Sequence, residues 1–317
     1  STVTDVGPRT FQMCTKLRYV MLNEGLVTIG ERAFDECPLL EGITLSSTVT
    51  DVGRQAFRFC MGLKEVVLNE GLLTIGDGAF RDCASLESIR LPSTVTDVGS
   101  LAFCYCCKLR DVVLNEGLQT IGKQAFACCS SLEWIKLSSN LTEVGRSAFS
   151  DCIKLRDVVL SEGLQTIGEG AFYFCVSLES IRFPSTVTMV GEGAFYNCTE
   201  LKEVELNEGL QTIGEEAFDG CSSLESFTFP CIFIRLDNIC SVNKIQIENM
   251  INEIPGVGRR GADLLISFEG MGGGENWETH RERLCQICGL ITYYELKEAT
   301  TIIELALWKA KIEEGRV

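Results

Sequence analysis

One pattern repeats every 23 residues through the first 230 of the 317 residues of this chain. Its most regular mark is a phenylalanine that follows an alanine, or a threonine in the first copy. This phenylalanine occurs ten times with no insertion: Phe11, Phe34, Phe57, Phe80, Phe103, Phe126, Phe149, Phe172, Phe195 and Phe218. A fixed period between about 20 and 29 residues is typical of a solenoid, whose coils share one core because none buries its apolar face alone. The sequence therefore predicts a stack of ten coils, here called rungs 1 to 10.

Each rung begins with an apolar stretch of the form Leu-x-x-Val-x-Leu. In residues 201–206 the spacing turns Val204 inward and Glu203 and Glu205 outward, because side chains alternate across a strand. A turn rich in Asn, Glu and Gly follows, since glycine adopts the positive φ angles that other residues avoid. Ten such strands, spaced about 4.8 Å apart, would form a parallel sheet on the order of 45 Å long.

The second half of each rung carries a short apolar stretch and then the Ala-Phe pair. We expect Ala217 and Phe218 to begin a single helical or 3₁₀ turn that carries Cys221 into the core. Two versions of the first turn alternate along the chain. One contains Asn-Glu-Gly, as in residues 22–30, and the other contains Pro-Ser-Thr or a near relative, as in residues 91–99. The full sequence period is therefore 46 residues, or two rungs.

The complete pattern is L-x-x-[VI]-x-L-P-x-x-[VL]-x-x-[IV]-G-x-x-A-F-x-x-C-x-x-L. It resembles the BspA-type leucine-rich repeat of bacterial and protist surface antigens, and the resemblance covers residues 1–230. It implies an α/β repeat solenoid, a right-handed leucine-rich-repeat coil with a parallel β-sheet of about ten strands. It also implies a binding protein, since members of that family are generally non-enzymatic and some are adhesins for host matrix or other cells.

The repeats end after residue 230, which divides the chain into two expected domains. Residues 1–230 form the leucine-rich repeat array, and it begins inside a repeat, so we expect it to be truncated at its N-terminus. A solenoid needs a different segment to close its apolar end. Residues 231–317 contain helical patterns, the longest at 293–314 with apolar residues on one face. They are predicted to form a small helical C-terminal cap.

The charge of the chain limits the classes of partner. The formal net charge is −16, and residues 231–317 contribute only −3 of it, so the array is strongly acidic. This sign argues against a general surface for nucleic acid or anionic lipid. No run of 18 or more apolar residues is present, so we predict no membrane span.

The outward side chains of the Leu-x-x-Val-x-Leu strands form a surface that we call the outer strand face. Because a curved array of strands is a common binding surface, we predict that this face contacts a protein partner. The candidate contact residues are Tyr19, Glu65, Arg90, Asp111, Trp134, Lys136, Asp157, Arg182, Glu203 and Glu205.

Trp134 is the strongest of these candidates. It is the only tryptophan in residues 1–230, and Asp111 and Asp157 should lie on the flanking strands. Exposed tryptophan is frequent among the residues that dominate protein interfaces. The simpler interpretation is that Trp134 only covers the methyl groups of its neighbours, because isolated exposed apolar residues are common.

A column of charges with alternating sign borders this face. It consists of Arg18, Glu41, Lys64, Glu87, Arg110, Glu133, Arg156, Glu179, Lys202 and Glu225. Opposite charges on adjacent strands attract by a few tenths of a kcal/mol, roughly, per contact. We expect this column to act as a structural but solvated zipper along the rim of the face.

Seventeen cysteines make a thiol-based metal or redox role the weaker of two alternative functions. Ten of them occur once per rung, three residues after each phenylalanine, and are expected to pack as small buried apolar side chains without disulfides. Free thiols favour a reducing, intracellular compartment, whereas the family resemblance also allows a secreted or cell-surface protein. A denser patch comprises Cys104, Cys106, Cys107, Cys128 and Cys129. It could bind a soft metal, but it matches no common zinc motif, so we expect no cofactor.

The second alternative is contact with nucleic acid through residues 254–265. Their Pro-Gly-Val-Gly turn and the following Arg259 and Arg260 resemble a helix-hairpin-helix module, which holds a phosphate with backbone N–H groups. A lone Cys-x-x-Cys lies at residues 285–288, and His280 is the only histidine. One histidine excludes sites that need several, so we predict that the protein is not an enzyme. The sequence leaves the oligomeric state open.

Overall fold

The computed structural model describes residues 3–228, which contain nineteen short β-strands and no helix. Ten strands have two residues each: β1 (Asp5–Val6), β2 (Thr28–Ile29), β4 (Asp51–Val52), β6 (Thr74–Ile75), β8 (Asp97–Val98), β10 (Thr120–Ile121), β12 (Glu143–Val144), β14 (Thr166–Ile167), β16 (Met189–Val190) and β18 (Thr212–Ile213). Nine strands have three residues each: β3 (Gly42–Thr44), β5 (Glu65–Val67), β7 (Ser88–Arg90), β9 (Asp111–Val113), β11 (Trp134–Lys136), β13 (Asp157–Val159), β15 (Ser180–Arg182), β17 (Glu203–Glu205) and β19 (Ser226–Thr228).

The two-residue strands form one continuous parallel sheet of ten strands, in the order in which they occur along the chain. Each residue pairs with the residue 23 positions further on, as Asp5 does with Thr28 and Val6 with Ile29. This register confirms that the 23-residue period is one turn of a solenoid. It also confirms a parallel sheet of ten strands, although these strands come from the second apolar stretch of each rung.

The three-residue strands, from which the sequence predicted the long sheet, form four smaller parallel sheets instead. Their ladder is interrupted between β5 and β7, between β9 and β11, and between β13 and β15. Each interruption follows a rung whose turn is Asn-Glu-Gly or Ser-Glu-Gly. The strands are therefore paired two by two in the middle of the array, whereas β15, β17 and β19 remain together although an Asn-Glu-Gly turn follows β17.

The two turns alternate because each bonds to the other. In the Asn-Glu-Gly turn, the Asn69 amide donates to the Ser46 and Val49 carbonyls of the preceding rung, at 2.7 and 3.0 Å. In the next rung, Ser93 donates its N–H and hydroxyl to Glu70, at 3.0 and 2.9 Å. Buried and half-buried polar groups need such partners, so a turn of either kind is best stacked against one of the other kind.

The Ala-Phe segment forms a series of hydrogen-bonded turns where the sequence predicted a helical or 3₁₀ turn. N–H groups alternate between two directions: Phe34 donates to Ala56 O of the next rung at 2.8 Å, whereas Asp35 donates to Arg32 O of its own turn at 3.2 Å. This alternation requires two residues with positive φ per rung, Arg32 (56°) and Glu36 (59°) in rung 2. A continuous helix is excluded because its residues all have negative φ.

The core is a column of stacked phenylalanine rings. Centroids of rings in adjacent rungs are 5.1 to 5.4 Å apart, with interplanar angles of 11° or less. The rings from Phe34 to Phe195 are fully buried. Stacked aromatic pairs contribute roughly 0.5–1.5 kcal/mol beyond the burial of their surface, so this column ties each rung to the next.

The cysteine of each rung lies beside this column and has a polar role that the sequence did not predict. Each thiol from Cys37 to Cys221 donates a hydrogen bond to the phenylalanine carbonyl of the preceding rung, at 3.1 to 3.3 Å. All thirteen cysteines of the described residues are free, as expected. We refer to these rings and thiols together as the Phe–Cys column.

Candidate functional site

The outer strand face is built by the alternation of side chains along the three-residue strands. The central residue of each strand is buried, from Ile43 to Val204, with exposures of 9% or less. The residues on either side of it point to solvent, and most are exposed. The alternation inferred from the Leu-x-x-Val-x-Leu spacing is therefore confirmed for strands β3 to β17.

All ten candidate contact residues lie on this face and are exposed to solvent. They are Tyr19, Glu65, Arg90, Asp111, Trp134, Lys136, Asp157, Arg182, Glu203 and Glu205. Tyr19 extends the face beyond the first three-residue strand through an isolated parallel bridge to Gly42. The face therefore runs from rung 2, which contains Tyr19, to rung 10, which contains Glu203 and Glu205.

Trp134 occupies the middle of the outer strand face. Its side chain is 47% exposed, and its strand pairs directly with Asp157 of the next rung. Asp111 holds the corresponding position one rung earlier. Neither aspartate has an ion-pair partner within 4.0 Å among residues 3–228. The indole is thus a large apolar surface between two carboxylates that remain available.

Several charges on the face already have partners inside the chain. Arg182 Nε lies 2.7 Å from Glu205 Oε2, and Lys136 Nζ lies 3.1 Å from Glu116 Oε1. The pKa of Glu116 is lowered by the Ser139 backbone N–H, with further contributions from Lys136 and the Ser139 hydroxyl. Within the described residues Arg90 makes no ion pair. Arg90 and the two aspartates beside Trp134, like Glu65 and Glu203, are therefore less committed to the fold than the paired Lys136, Arg182 and Glu205.

A notch that the sequence pattern did not predict lies in the face near its first rungs. Gly42 takes a position that carries Tyr19 in the preceding rung and Glu65 in the next. The resulting cavity has a volume of about 650 Å³ and is lined by these residues together with Met21 and Thr44. Met21 is 94% exposed, so the wall of the notch is partly apolar. The only signal in the sequence was a glycine among larger outward residues.

The charged column that borders the face does not form the predicted zipper. Within residues 3–228 only its first pair, Arg18 Nη1 and Glu41 Oε1, forms an ion pair, at 3.0 Å. Tyr19 also donates its hydroxyl to Glu41 at 3.4 Å. Long exposed side chains lose conformational entropy when they are held in one geometry, and this loss offsets most of the attraction in water. The column is therefore mainly a solvated border.

The cysteine patch of rungs 5 and 6 is divided between the core and the surface. Cys104, Cys106 and Cys129 are buried, whereas Cys107 and Cys128 are partly exposed. Burial raises the pKa of Cys104 to about 12, so its thiol stays protonated at neutral pH. Metals bind the thiolate form, and within residues 3–228 no three His, Cys, Asp or Glu side chains are grouped to hold a metal ion.

The remaining predictions concern residues outside the described part of the chain. They are the helical cap at residues 231–317, the helix-hairpin-helix-like turn at 254–265 with Arg259 and Arg260, the Cys-x-x-Cys at 285–288 and His280. Among residues 3–228, none forms a helix with the length and hydrophobicity that crossing a bilayer requires.

The repeat geometry agrees with a known family. The BspA-type leucine-rich repeat region matches residues 1–110 and 119–248, in six copies. This chain belongs to the BspA-type leucine-rich repeat family. Proteins of this family are generally non-enzymatic binding scaffolds, and leucine-rich repeat proteins bind protein partners.

Solved bacterial structures resemble this BspA-type chain. A leucine-rich repeat protein of T. pallidum is 34% identical, covers 58% of this chain and 78% of its own, and gives a TM-score of 0.49. One from Bacteroides ovatus is 25% identical over 71% of this chain and 76% of its own, with a TM-score of 0.39. The pneumococcal vaccine antigen PcpA is 21% identical over 71% and 67%, with a TM-score of 0.46. No curated protein matches the chain.

Proposed function

We propose that this protein is a non-enzymatic recognition scaffold whose outer strand face binds a protein partner, with Trp134 as the central anchor. The observation that carries the proposal is the 47% exposure of this large indole in the middle of the face, between Asp111 and Asp157. A large aromatic side chain that becomes buried on binding contributes more than most contacts do. The repeated backbone hydrogen bonds hold the strand beneath it, so little conformational entropy is lost on binding.

The charges around Trp134 indicate which partner surface would fit. Asp111 and Asp157 flank the indole, and they have no ion-pair partner within residues 3–228, whereas the neighbouring Lys136 is already paired with Glu116. A complementary surface would therefore present an apolar recess with Lys or Arg at its border. Such charges increase the rate of association and select among partners more than they increase affinity.

We further propose that the recognition is adhesin-like, with a partner on another cell or in the extracellular matrix. The resemblance to surface antigens supports this, and the strongly acidic chain would favour basic matrix or surface proteins. The notch at Gly42 offers a second contact point four rungs away from Trp134, or about 19 Å at the usual strand spacing. A partner that reaches both points must be a folded domain or an extended segment of at least that length.

Quantitative affinity capture from matrix and cell-surface extracts tests the proposal. The 317-residue protein and its Trp134→Ala variant would be immobilised at equal density, and the captured proteins would be compared by mass spectrometry. We expect the affinity for the captured partner, and hence its recovered amount, to be about 30-fold or more lower with Trp134→Ala. This is the loss expected for a residue that contributes about 2 kcal/mol to binding. Tyr105→Ala is the matched control, because Tyr105 is equally exposed, at 45%, but lies outside the outer strand face.

A second variant examines the notch. Adding a Cβ at Gly42 would bring it 3.7 Å from Glu65 O, an ordinary contact, so Gly42→Leu should fill the notch without strain. Capture of the same partner should fall with Gly42→Leu if the partner uses both points. Equal capture by the wild type and by Trp134→Ala would refute the proposal for the outer strand face.

A further inference from the structure

The contact between rung 6 (residues 109–131) and rung 7 (residues 132–154), here called the central junction, lacks backbone hydrogen bonds that other junctions have. The residue before each three-residue strand donates its N–H to the preceding rung, as Arg156 does to Glu133 O at 2.8 Å. This bond is present at eight of nine junctions, at 2.8 to 3.4 Å. The exception among residues 3–228 is the central junction, where Glu133 makes no such bond to Arg110 O. Strands β9 and β11, on either side of it, are also unpaired.

A second bond is lacking where the central junction crosses the ten-stranded sheet. The glycine that follows each two-residue strand donates its N–H to the preceding rung, as Gly168 does to Val144 O at 2.9 Å. This bond, too, is present at eight of nine junctions, and within the described residues Gly145 is the exception. Gly145 still lies close to Ile121 O, so the bond is lost through misalignment and not through separation. Strands β10 and β12 remain paired here.

The Ala-Phe side of the central junction is intact. Gln124, Phe126 and Cys128 donate their N–H groups to rung 7 at 2.8 to 2.9 Å. The rings of Phe126 and Phe149 are stacked, with centroids 5.4 Å apart, and the Cys152 thiol donates to Phe126 O at 3.3 Å. The two rungs are therefore joined firmly along the Phe–Cys column and least firmly on the outer strand face.

The turn of rung 7 differs from its equivalents at the same place. In rungs 3, 5 and 9 this turn contains a threonine whose hydroxyl donates to a leucine carbonyl of the preceding rung, as Thr186 does to Leu164 O at 2.7 Å. Rung 7 has Asn140 instead, and its amide donates to Glu116 O at 2.7 Å. Glu116 lies two residues before Leu118, the equivalent of Leu164. The turn is thus attached to rung 6 at a different point, and the backbone that follows it is misaligned.

We propose that the central junction is a hinge, at which Asn140 allows rungs 7 to 10 to rotate relative to rungs 1 to 6 about the Phe–Cys column. Hinges are formed by a few positions that absorb a change in the backbone, and local opening concentrates where backbone hydrogen bonds are few. The rotation changes the separation of Asp111 and Trp134, which lie on opposite sides of the junction. It leaves Trp134 and Asp157 in place, because β11 and β13 are paired.

The hinge gives the outer strand face an adjustable curvature at its centre. The Phe–Cys column passes through the junction without interruption, so the rotation does not divide the core. This motion belongs to the free chain, and it does not depend on the partner proposed above.

Distances between pairs of spin labels test the hinge in the 317-residue protein. The nitroxides are carried by non-natural amino acids, because the chain has 17 cysteines. One pair, at Asp111 and Glu203, spans four rungs across the central junction. The control pair, at Tyr19 and Asp111, spans four rungs without crossing it, so both separations are about 19 Å at the usual strand spacing. We expect the first pair to give a distance distribution about twice as wide, because the rotation adds to the motion of the labels. Equal widths would overturn the proposal.

Hydrogen exchange examines the missing bonds in the same protein. The amides of Glu133 and Gly145 should exchange about ten-fold faster, or more, than those of Arg156 and Gly168, their hydrogen-bonded equivalents one rung later. Equal rates at the two junctions would show that the central junction is not weaker than its neighbour, and the proposal would fail.

Asn140→Thr tests the assigned cause, because it restores the residue found in rungs 3, 5 and 9. It should narrow the distance distribution across the central junction to that of the control pair, and it should slow exchange of the Gly145 amide. Thr186→Asn is the matched reciprocal variant. It should misalign the junction of rungs 8 and 9 and speed exchange of the Gly191 amide, which donates to Ile167 O at 2.8 Å.

Two results would show that the turn residue does not set the hinge, and either would overturn the proposal. One is a distribution that stays wide with Asn140→Thr, and the other is unchanged exchange of Gly191 with Thr186→Asn. None of these measurements involves Trp134 or a partner, so the proposed function would be judged separately.

Discussion

The Phe–Cys column and the outer strand face belong to the same rungs and are generated by the same 23-residue step, yet they differ in almost every property. In the column, eight consecutive phenylalanines are fully buried and stack at nearly constant distances. On the face, the equivalent outward position holds Tyr19, then Gly42, and later Trp134. The difference shows that a side chain must be repeated where it contacts its own copies in neighbouring rungs. Where it contacts mainly solvent, it is free to vary and to acquire a specific function.

Alkaline pH should expose this contrast with the largest effect. Burial raises the pKa of Cys221 to about 12, and it raises the pKa of Cys83, Cys106, Cys129, Cys152, Cys175 and Cys198 well above the ordinary value of 9.0. The folded state therefore keeps thiols protonated that the unfolded state releases. Their contribution to stability is complete below pH 9 and is lost as pH rises toward the folded pKa values.

At pH 10 each of these seven thiols should lower the free energy of unfolding by roughly 1–2 kcal/mol, or on the order of 10 kcal/mol together. This is comparable with the whole stability of a typical domain, so we expect cooperative unfolding between about pH 9 and 11. Circular dichroism in the presence of a reductant would measure it. If ionisation of the buried thiols drives this unfolding, Cys129→Ala should shift the midpoint of alkaline unfolding to higher pH. An unchanged midpoint would contradict this explanation.

Truncation of one ring in the middle of the column is the next largest perturbation. Phe126 is fully buried between Phe103 and Phe149, with centroid distances of 5.2 and 5.4 Å. Phe126→Ala should lower the free energy of unfolding by about 3–5 kcal/mol, because a large cavity and two stacking contacts are involved. Phe11→Ala is the matched control: Phe11 is 39% exposed and stacks on one side only, so its loss should be less than half as large. Urea denaturation measures both, and equal losses would show that stacking is not what holds the rungs together.

The turns that follow the strands of the outer strand face should show an effect of intermediate size. The Asn115 amide donates to the Pro92 and Val95 carbonyls at 2.7 and 2.9 Å, and its oxygen accepts from Gly117 N–H at 2.6 Å. Asn115→Ala should lower the free energy of unfolding by about 2 kcal/mol, since it leaves these half-buried backbone groups without partners. Ser161 stands at the equivalent position in rung 8 and donates one hydrogen bond, to Leu137 O. Ser161→Ala should therefore have a smaller effect in the same urea titration.

Sequence reasoning succeeded where a property depends on which residues are apolar and how they are spaced. The spacing of Phe34, Phe57 and their equivalents fixed the rung, and the alternation in residues 201–206 placed Glu203 and Glu205 on the exposed face. It failed where backbone hydrogen bonding decides the outcome. Pairs such as Asp51–Val52 are too short to show a strand period, yet they form the continuous sheet.

The sequence predicted the candidate site in part, as it did the fold. Trp134 and the two aspartates beside it were located correctly because their positions follow from the strand period alone. The notch at Gly42 depends on the absence of a side chain between Tyr19 and Glu65, and the stacked rings of Tyr173 and Tyr196 come from two rungs. A sequence period does not report how such side chains meet in space. The thiol bonds of the Phe–Cys column were also missed, because an apolar environment alone explained buried cysteine.

A substitution in the backbone beside the Phe–Cys column should have a smaller effect, and it should stabilise the fold. Ser147 has a φ of 52°, a conformation that costs a non-glycine residue roughly 1 kcal/mol, and the equivalent positions in the next two rungs are Gly170 and Gly193. Ser147→Gly should raise the free energy of unfolding by about 0.5 kcal/mol, because the relief of strain exceeds the added flexibility of the unfolded chain. Ala148→Gly, at the adjacent buried residue, is the control and should destabilise. A loss with Ser147→Gly would mean that its backbone is not strained.

The smallest effect is predicted for the outer strand face itself. Arg182 and Glu205 form a short ion pair there, at 2.7 Å, but their side chains are 80% and 50% exposed. A double-mutant cycle with Arg182→Ala and Glu205→Ala should give a coupling energy of about 0.2–1 kcal/mol, because water screens the charges and the long side chains lose entropy. The coupling should fall further in about 1 M salt, where the screening length is about 3 Å. A coupling above 2 kcal/mol that persists in salt would mean that ion pairs on the outer strand face stabilise the fold. The variation of the outward residues from rung to rung could then not be explained by their lack of contact with neighbouring rungs.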